Sequence, residues 1–186
     1  MPHVAPLPPK ARGLRPVRAA AVVAAVAAAL LSDEVLCARL GAEAGAGAAA
    51  LGRSRIHARA LPLDDETGSE ASAAPVYVLV KQRARLDGAA RPAGVAGQRP
   101  VRVHVLVSAD PDVAADMADV VGEIHDRIYD ALQGERVAGE GFALVEPLDR
   151  VDEPDEPMTD PRRDGDGRLY ASAVYLAIAE PASPAY

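Results

Sequence analysis

The chain has 186 residues, 49% of them hydrophobic, which suits one buried core and one main domain. With no Trp, a single Phe and five Tyr, that core must be built from Ala, Val, Leu and Ile, and few rings remain on which nucleic-acid bases could stack. A formal charge of −7 also argues against a general nucleic-acid binder, because contact with phosphates needs a surplus of Lys and Arg.

The charge is unevenly spread. Residues 1–60 and the stretch Lys81 to Arg102 are basic, the latter with Asp87 as its one acid, and the remainder is strongly acidic. A bipolar surface follows, of the kind that suits stacking of subunits on partners, although most such runs are simply solvated faces. The basic residues are nearly all Arg, which reads as the codon usage of a GC-rich genome before any functional preference. The single Cys37 excludes an internal disulfide framework.

In chain order, residues 1–15 carry Pro2, Pro6, Pro8 and Pro9 and predict an extended arm that orders only against a partner. A single domain is expected over 16–181, with a short tail at 182–186. Lys10, Arg12, Arg15 and Arg18 precede the apolar run Ala19 to Leu31, in the arrangement of a secretory leader. The run is too short to span a bilayer, and it is mostly Ala, whose strength is helix propensity. Cys37 also lacks the small preceding residue of a lipoprotein site, since Glu34-Val35-Leu36 stands there. A packed helix from Pro16 to Leu31 is therefore expected.

Ser32 predicts the N-cap of a second helix with Asp33 and Glu34 in its first turn and Gly41 as its stop. Gly41 to Gly52 is low in complexity and reads as a loop or frayed helix. Arg55 to Leu61 predicts a short extended piece, and Asp64 to Ala74 an acidic loop. Pro75 to Lys81 is a β-branched strand, expected to pair through a long basic tip with the strand that starts at Val101. There Val101, Val103, Val105 and Val107 alternate with Arg102, His104 and Ser108, the pattern of a half-buried strand. Asp110-Pro111-Asp112 then predicts a capped helix start. Val113, Met117, Val120, Val121, Ile124, Ile128, Ala131 and Leu132 form its apolar stripe, and Gly134 its end.

Phe142 to Val151 predicts a third strand, which Pro147 confines to an edge or a bulge. Asp152 to Gly167 is too rich in Pro, Asp and Gly to be regular, and Leu169 to Ala179 predicts the last strand. The expected fold class is α+β. Its sheet is antiparallel, of about four strands, packed against one long helix plus N-terminal helices in the order α-α-β-β-α-β-β.

Chemistry is sparse. His3, His57, His104 and His125 lie on separate elements without metal-ligand spacing, and His104 and His125 are expected at the surface or its boundary. Asp160, Asp164 and Asp166 fail the spacing of a calcium loop. Cys37 reads as a small core residue, and Gly88, Gly94 and Gly97 fall in a hairpin tip where they make no phosphate cradle. No catalytic residue, cofactor or metal is predicted, and the chain carries no enzyme signature.

The succession of segments resembles that of the tail terminator, or tail-to-head joining, proteins of long-tailed bacteriophages. The likeness runs over residues 16–181. It covers VVAAVAAALLSDEVLCARLG, Ser54-Arg55-Ile56-His57 before a Pro-bearing loop, PVYVLVK, RVHVLVSADPDVAADMADVVGEIHDRIYDAL, FALVEPLDRVDEPDEP and GRLYASAVYLAIAE. The chain departs from a minimal member in its Pro-rich arm, its Ala/Gly stretch and its loop at 152–167.

The resemblance implies a structural virion protein, assembled in the host cytoplasm. It implies a homo-oligomeric ring, usually a hexamer, on the last ring of the tail tube, with the tail tube protein and a head-completion connector as partners. DNA passes only as cargo and no membrane is involved. Lys81, Arg83, Arg85, Arg91 and Arg99 on the hairpin, with Asp152, Glu153, Asp155 and Glu156 after the third strand, are the candidate assembly residues. The rival readings are a head-closure or adaptor protein of the phage neck and a non-viral α+β ligand-binding or regulatory domain.

Overall fold

The computed structural model describes residues 17–58, 76–82, 99–110, 117–134, 137, 139, 141–152, 158–159 and 169–182. In chain order these form helices α1 (Ala19–Ser32) and α2 (Glu34–Leu40), a 3-10 helix (Ala42–Gly47) and helix α3 (Ala48–Arg53). Strands β1 (Ile56–Ala58), β2 (Val76–Gln82) and β3 (Arg99–Ala109) follow, then helix α4 (Met117–Gly134). Strands β4 (Phe142–Leu144), β5 (Asp149–Asp152), β6 (Met158–Thr159) and β7 (Leu169–Pro181) complete the described chain.

The α+β class holds. At the centre of the sheet β3 and β7 pair antiparallel along their common length, from Arg99 opposite Ala179 to Ala109 opposite Leu169. The alternation read from the sequence sets the faces: Val101, Val103, Val105 and Val107 are buried beside Ala177, Tyr175, Ala173 and Ala171, their cross-strand partners. β2 pairs antiparallel on the other side of β3, as the hairpin expectation requires, and carries Val78 and Val80 into the same layer.

Two features depart from the four-strand antiparallel expectation. β1 pairs parallel with β2, so the sheet is mixed. Its three residues are too few to show alternation, which is why the sequence suggested only an extended piece. On the far side of β7 the third strand is broken into β4 and β5, and β6 continues along the same edge within a stretch expected to be irregular. The pairing passes from Leu144–Ala179 to Asp149–Leu176, and then from Arg150–Tyr175 to Asp152–Val174. Residues are gained on the outer strand each time, so β4 to β6 act as one repeatedly bulged edge strand. The expectation of an edge or bulge around Pro147 is met.

α1 and α4 pack against the valine face. α1 buries Val22, Val23, Val26 and Leu30, with alanines around them, because it lies between the sheet, α2 and α4. Of the predicted stripe of α4, Val121, Ile124, Ile128 and Leu132 are fully covered, with Val120 and Ala131 partly so, and Val113 lies outside the described residues. The predicted helix start at Pro111 and Asp112 lies outside the described residues.

α1 and α2 meet at 81°. The N-cap at this corner is Asp33, not Ser32. Asp33 has an extended backbone (φ −79°, ψ 103°) and accepts a hydrogen bond from Leu36 N at 2.8 Å, whereas Ser32 is still helical and its hydroxyl donates to Ala29 O. Both Asp33 carboxylate oxygens also receive Arg127 of α4, at 3.1 and 2.6 Å.

The Ala/Gly stretch, expected as a loop or frayed helix, forms the 3-10 turn and α3, packed on α2. Glycine permits this contact. A Cβ on Gly52 would stand 1.6 Å from Cys37 O, and one on Gly41 would stand 2.1 Å from Ala48 O. Low complexity here marks a close backbone approach.

His125 corrects a second expectation. It is fully buried on α4, with Nε2 3.1 Å from Ala171 O of β7, while Nδ1 has no partner. A histidine flanking an apolar stripe reads as a boundary residue, yet α4 sits close enough to β7 for a backbone carbonyl to receive its ring N–H. Burial lowers its pKa from the ordinary 6.5, more than the Ala171 bond and nearby Asp126 raise it, and Arg150 lowers it further.

Two outcomes follow. Gly52→Ala should cost about 1–3 kcal/mol or more in urea unfolding, since the clash is with backbone, while Gly47→Ala, with open space at its Cβ, should be nearly neutral. Because His125 binds its proton less readily folded than unfolded, stability should fall as pH drops through 6.5 toward the depressed folded value. A series of urea midpoints between neutral and mildly acid pH should show this slope, and His125→Gln should reduce it, leaving the part due to His57, which burial also lowers.

Candidate assembly interface

The register places three of the predicted assembly residues. Lys81, half-buried near the end of β2, pairs with His104; His104 pairs with Val174, and Val174 with Asp152. Lys81 and Asp152 therefore stand at the two ends of one row across four strands, about 14 Å apart at about 4.8 Å per strand. Arg99 opens β3 opposite Ala179, beyond the point where β2 ends at Gln82. Arg83, Arg85, Arg91, Glu153, Asp155 and Glu156 lie outside the described residues. The basic segment thus leaves the sheet from the β2–β3 side and the acidic segment from the outer side of β7.

One residue that sequence reasoning did not single out shapes the acidic side. Arg150 is the one basic residue between Phe142 and Asp152, and it turns inward: its guanidinium lies 4.3 Å from the centre of the Tyr129 ring on α4. Its charge also faces Tyr175, whose fully buried phenol is pushed up to about 12 by desolvation, with Arg150 acting in the lowering direction. The two side chains are neighbours, but the Tyr175 hydroxyl has no well-aligned hydrogen bond. With Arg150 withdrawn against α4, the outer edge shows exposed Glu146 and Asp149, and the apolar Val145 and Val151, 45% and 40% exposed. Tyr129 beside the α4 stripe was the only trace of this contact in the sequence.

No family model matches this chain, and no curated protein is significantly similar to it.

Cys37 is fully buried, burial pushes its thiol up from 9.0, and its Sγ lies 3.8 and 3.6 Å from the carbonyls of Leu30 and Leu31. Among the described residues no three His, Cys, Asp or Glu side chains come together in a metal-binding group. No single described helix is long and apolar enough to cross a membrane; the bent pair α1 and α2 reaches that composition only together, and α1 is largely buried.

Arg150→Ala should lower stability by about 1 kcal/mol, the order of a half-buried cation–π contact, and change the tyrosine near-ultraviolet circular dichroism. An unchanged spectrum together with an unchanged urea midpoint would show that Arg150 does not hold the edge strand to α4.

Proposed function

We propose that this chain is the subunit of a homo-oligomeric ring that caps the head-proximal end of a bacteriophage tail tube, stops its polymerisation and offers a surface to the head connector. The succession of helices and strands that resembles tail terminator proteins supports the reading. The observation that carries it furthest is the separation of charge across a single sheet. Lys81 lies on β2, which leads in sequence into the basic segment, and exposed Asp149 lies on β5, which leads in sequence into the acidic one. Flanks of opposite sign let one copy meet the next head to tail, the kind of contact that closes into a ring. In this reading the chain works through surfaces, the tail tube protein and connector are its partners, and DNA passes only through the lumen.

Light scattering with negative-stain imaging of the purified protein should show closed rings, and the protein should associate with isolated tail tubes at one end. Reversing the hairpin charge with Lys81→Glu, Arg83→Glu and Arg85→Glu should abolish rings and tail joining while leaving the far-ultraviolet circular dichroism unchanged. Normal rings and normal tail joining from that variant would remove the charged flanks from the interface.

A further inference from the structure

We infer that His125 is a proton-operated latch: when its buried ring takes up a proton, strand β5 lets go of α4 at Arg150, while α4, β7 and β3 stay packed. The inference concerns the fold of one subunit and stands apart from the ring reading.

The geometry fixes the state of the ring. Ala171 O can only accept, so Nε2, 3.1 Å away, carries the proton of the neutral imidazole, and Nδ1 is left as a bare acceptor, fully buried and without a partner. A proton added at Nδ1 creates a cation and an N–H that no described group receives. Burying such a donor unpaired is costly.

Three elements bring ionisable groups to this ring. On α4, Tyr129 stands one turn further along, and the adjacent Asp126 is exposed, so water weakens its pull. On β7, the buried phenol of Tyr175, pushed up to about 12, stays neutral wherever a histidine titrates. On β5, Arg150 pairs across with Tyr175 and sets its guanidinium 4.3 Å from the centre of the Tyr129 ring. Arg150 has a further interaction, yet its charge acts against a proton on His125. The other elements packed on α4 add nothing to this balance. α1 has no ionisable side chain from Ala19 to Ser32, and β3 faces the helices with valines. On α2, Asp33 and Arg39 are taken up by Arg127 and Glu123, and the buried Cys37 thiol, pushed up from 9.0, stays neutral.

The two contacts of the cluster respond in opposite senses. The bond from Nε2 to Ala171 O strengthens when the ring is charged, so it holds α4 to β7, which is itself paired along β3. Arg150, of like charge, is the partner driven off, and it sits on a four-residue strand whose register shifts between Arg150 and Asp152. The chain just before β5 stays anchored, because Leu148 is fully buried and its carbonyl accepts from Gln133 of α4. Release is thus confined to Asp149–Asp152. Once Arg150 leaves, water reaches the ring and its ordinary affinity for a proton returns, so the open form gains as pH falls through 6.5 toward the depressed folded value.

The test is hydrogen exchange of the whole chain, read by mass spectrometry at neutral and mildly acid pH and corrected for the pH dependence of free amides. As pH falls, peptides spanning Asp149–Asp152 should lose about tenfold more protection than those spanning Val101–Val107, the equivalent of one unit in proton affinity. His125→Gln should keep that protection. A loss shared equally by β3, a β5 that stays protected, or the same loss in a folded His125→Gln overturns the latch. Should His125→Gln not fold, Arg150→Gln decides, with exchange of the ring C2 proton reporting each histidine's titration. The His125 midpoint should move upward in Arg150→Gln, while that of His57, on β1 across the sheet, stays in place. An unmoved His125 midpoint overturns the latch, and so does an equal shift of both, which marks general unfolding.

Discussion

The long antiparallel pairing of β3 with β7 is the constraint on which the rest of the molecule depends. Each valine of β3 from Val101 to Val107 is buried, and burying one such side chain is worth about 1.5–3 kcal/mol. A slip of one residue would turn all of them to the opposite face and bring Arg102 and His104 against the helices. With β3 and β7 fixed, β2 follows through the hairpin register, and the outer strand needs only to find β7. The alanines of β7 opposite those valines keep the layer thin. Tyr175 is the exception, and it is the one that reaches Arg150 and the acidic edge.

The helical layer depends on a second, smaller device. α1 is apolar on nearly every side and would slide along the valine face if nothing fixed its end. Asp33 supplies that stop by capping α2 with one carboxylate oxygen while both oxygens receive Arg127. The pair is shielded, with Asp33 far less exposed than a surface acid, and its geometry is bidentate, so it holds α4 in place relative to the corner. Arg39 and Glu123 add an exposed ion pair between α2 and α4, which contributes little by itself.

The elements legible in the sequence were those with a strong period or a clear cap. The strand at Val101, the helix stripe from Val120 to Leu132, the second helix stopping at Gly41 and the edge strand broken near Pro147 all rest on local rules, and the fold obeys those rules locally. What escaped was set by tertiary contact. Three residues of β1 carry no period, the parallel partner is chosen by distant β2, and Gly52 reads as filler until Cys37 O is seen against it. The burial of His125 is not legible for the same reason, because only the approach of β7 supplies the Ala171 carbonyl. Of the candidate interface, the signs of charge were legible. Their spatial relation was not, since the row from Lys81 to Asp152 crosses four strands that are far apart in sequence.

That row also explains why Arg150 matters more than its charge suggests. An edge strand that kept its arginine outward would present mixed charge and could pair with many surfaces, including its own copy. Turning Arg150 onto Tyr129 withdraws the cation, anchors the edge to α4 and leaves a uniformly acidic, partly apolar border. The bulges beside it have a matching effect, because they shorten the run of backbone able to accept a foreign strand. An edge guarded in this way sets like charges, Glu146 and Asp149, against any approaching copy of itself.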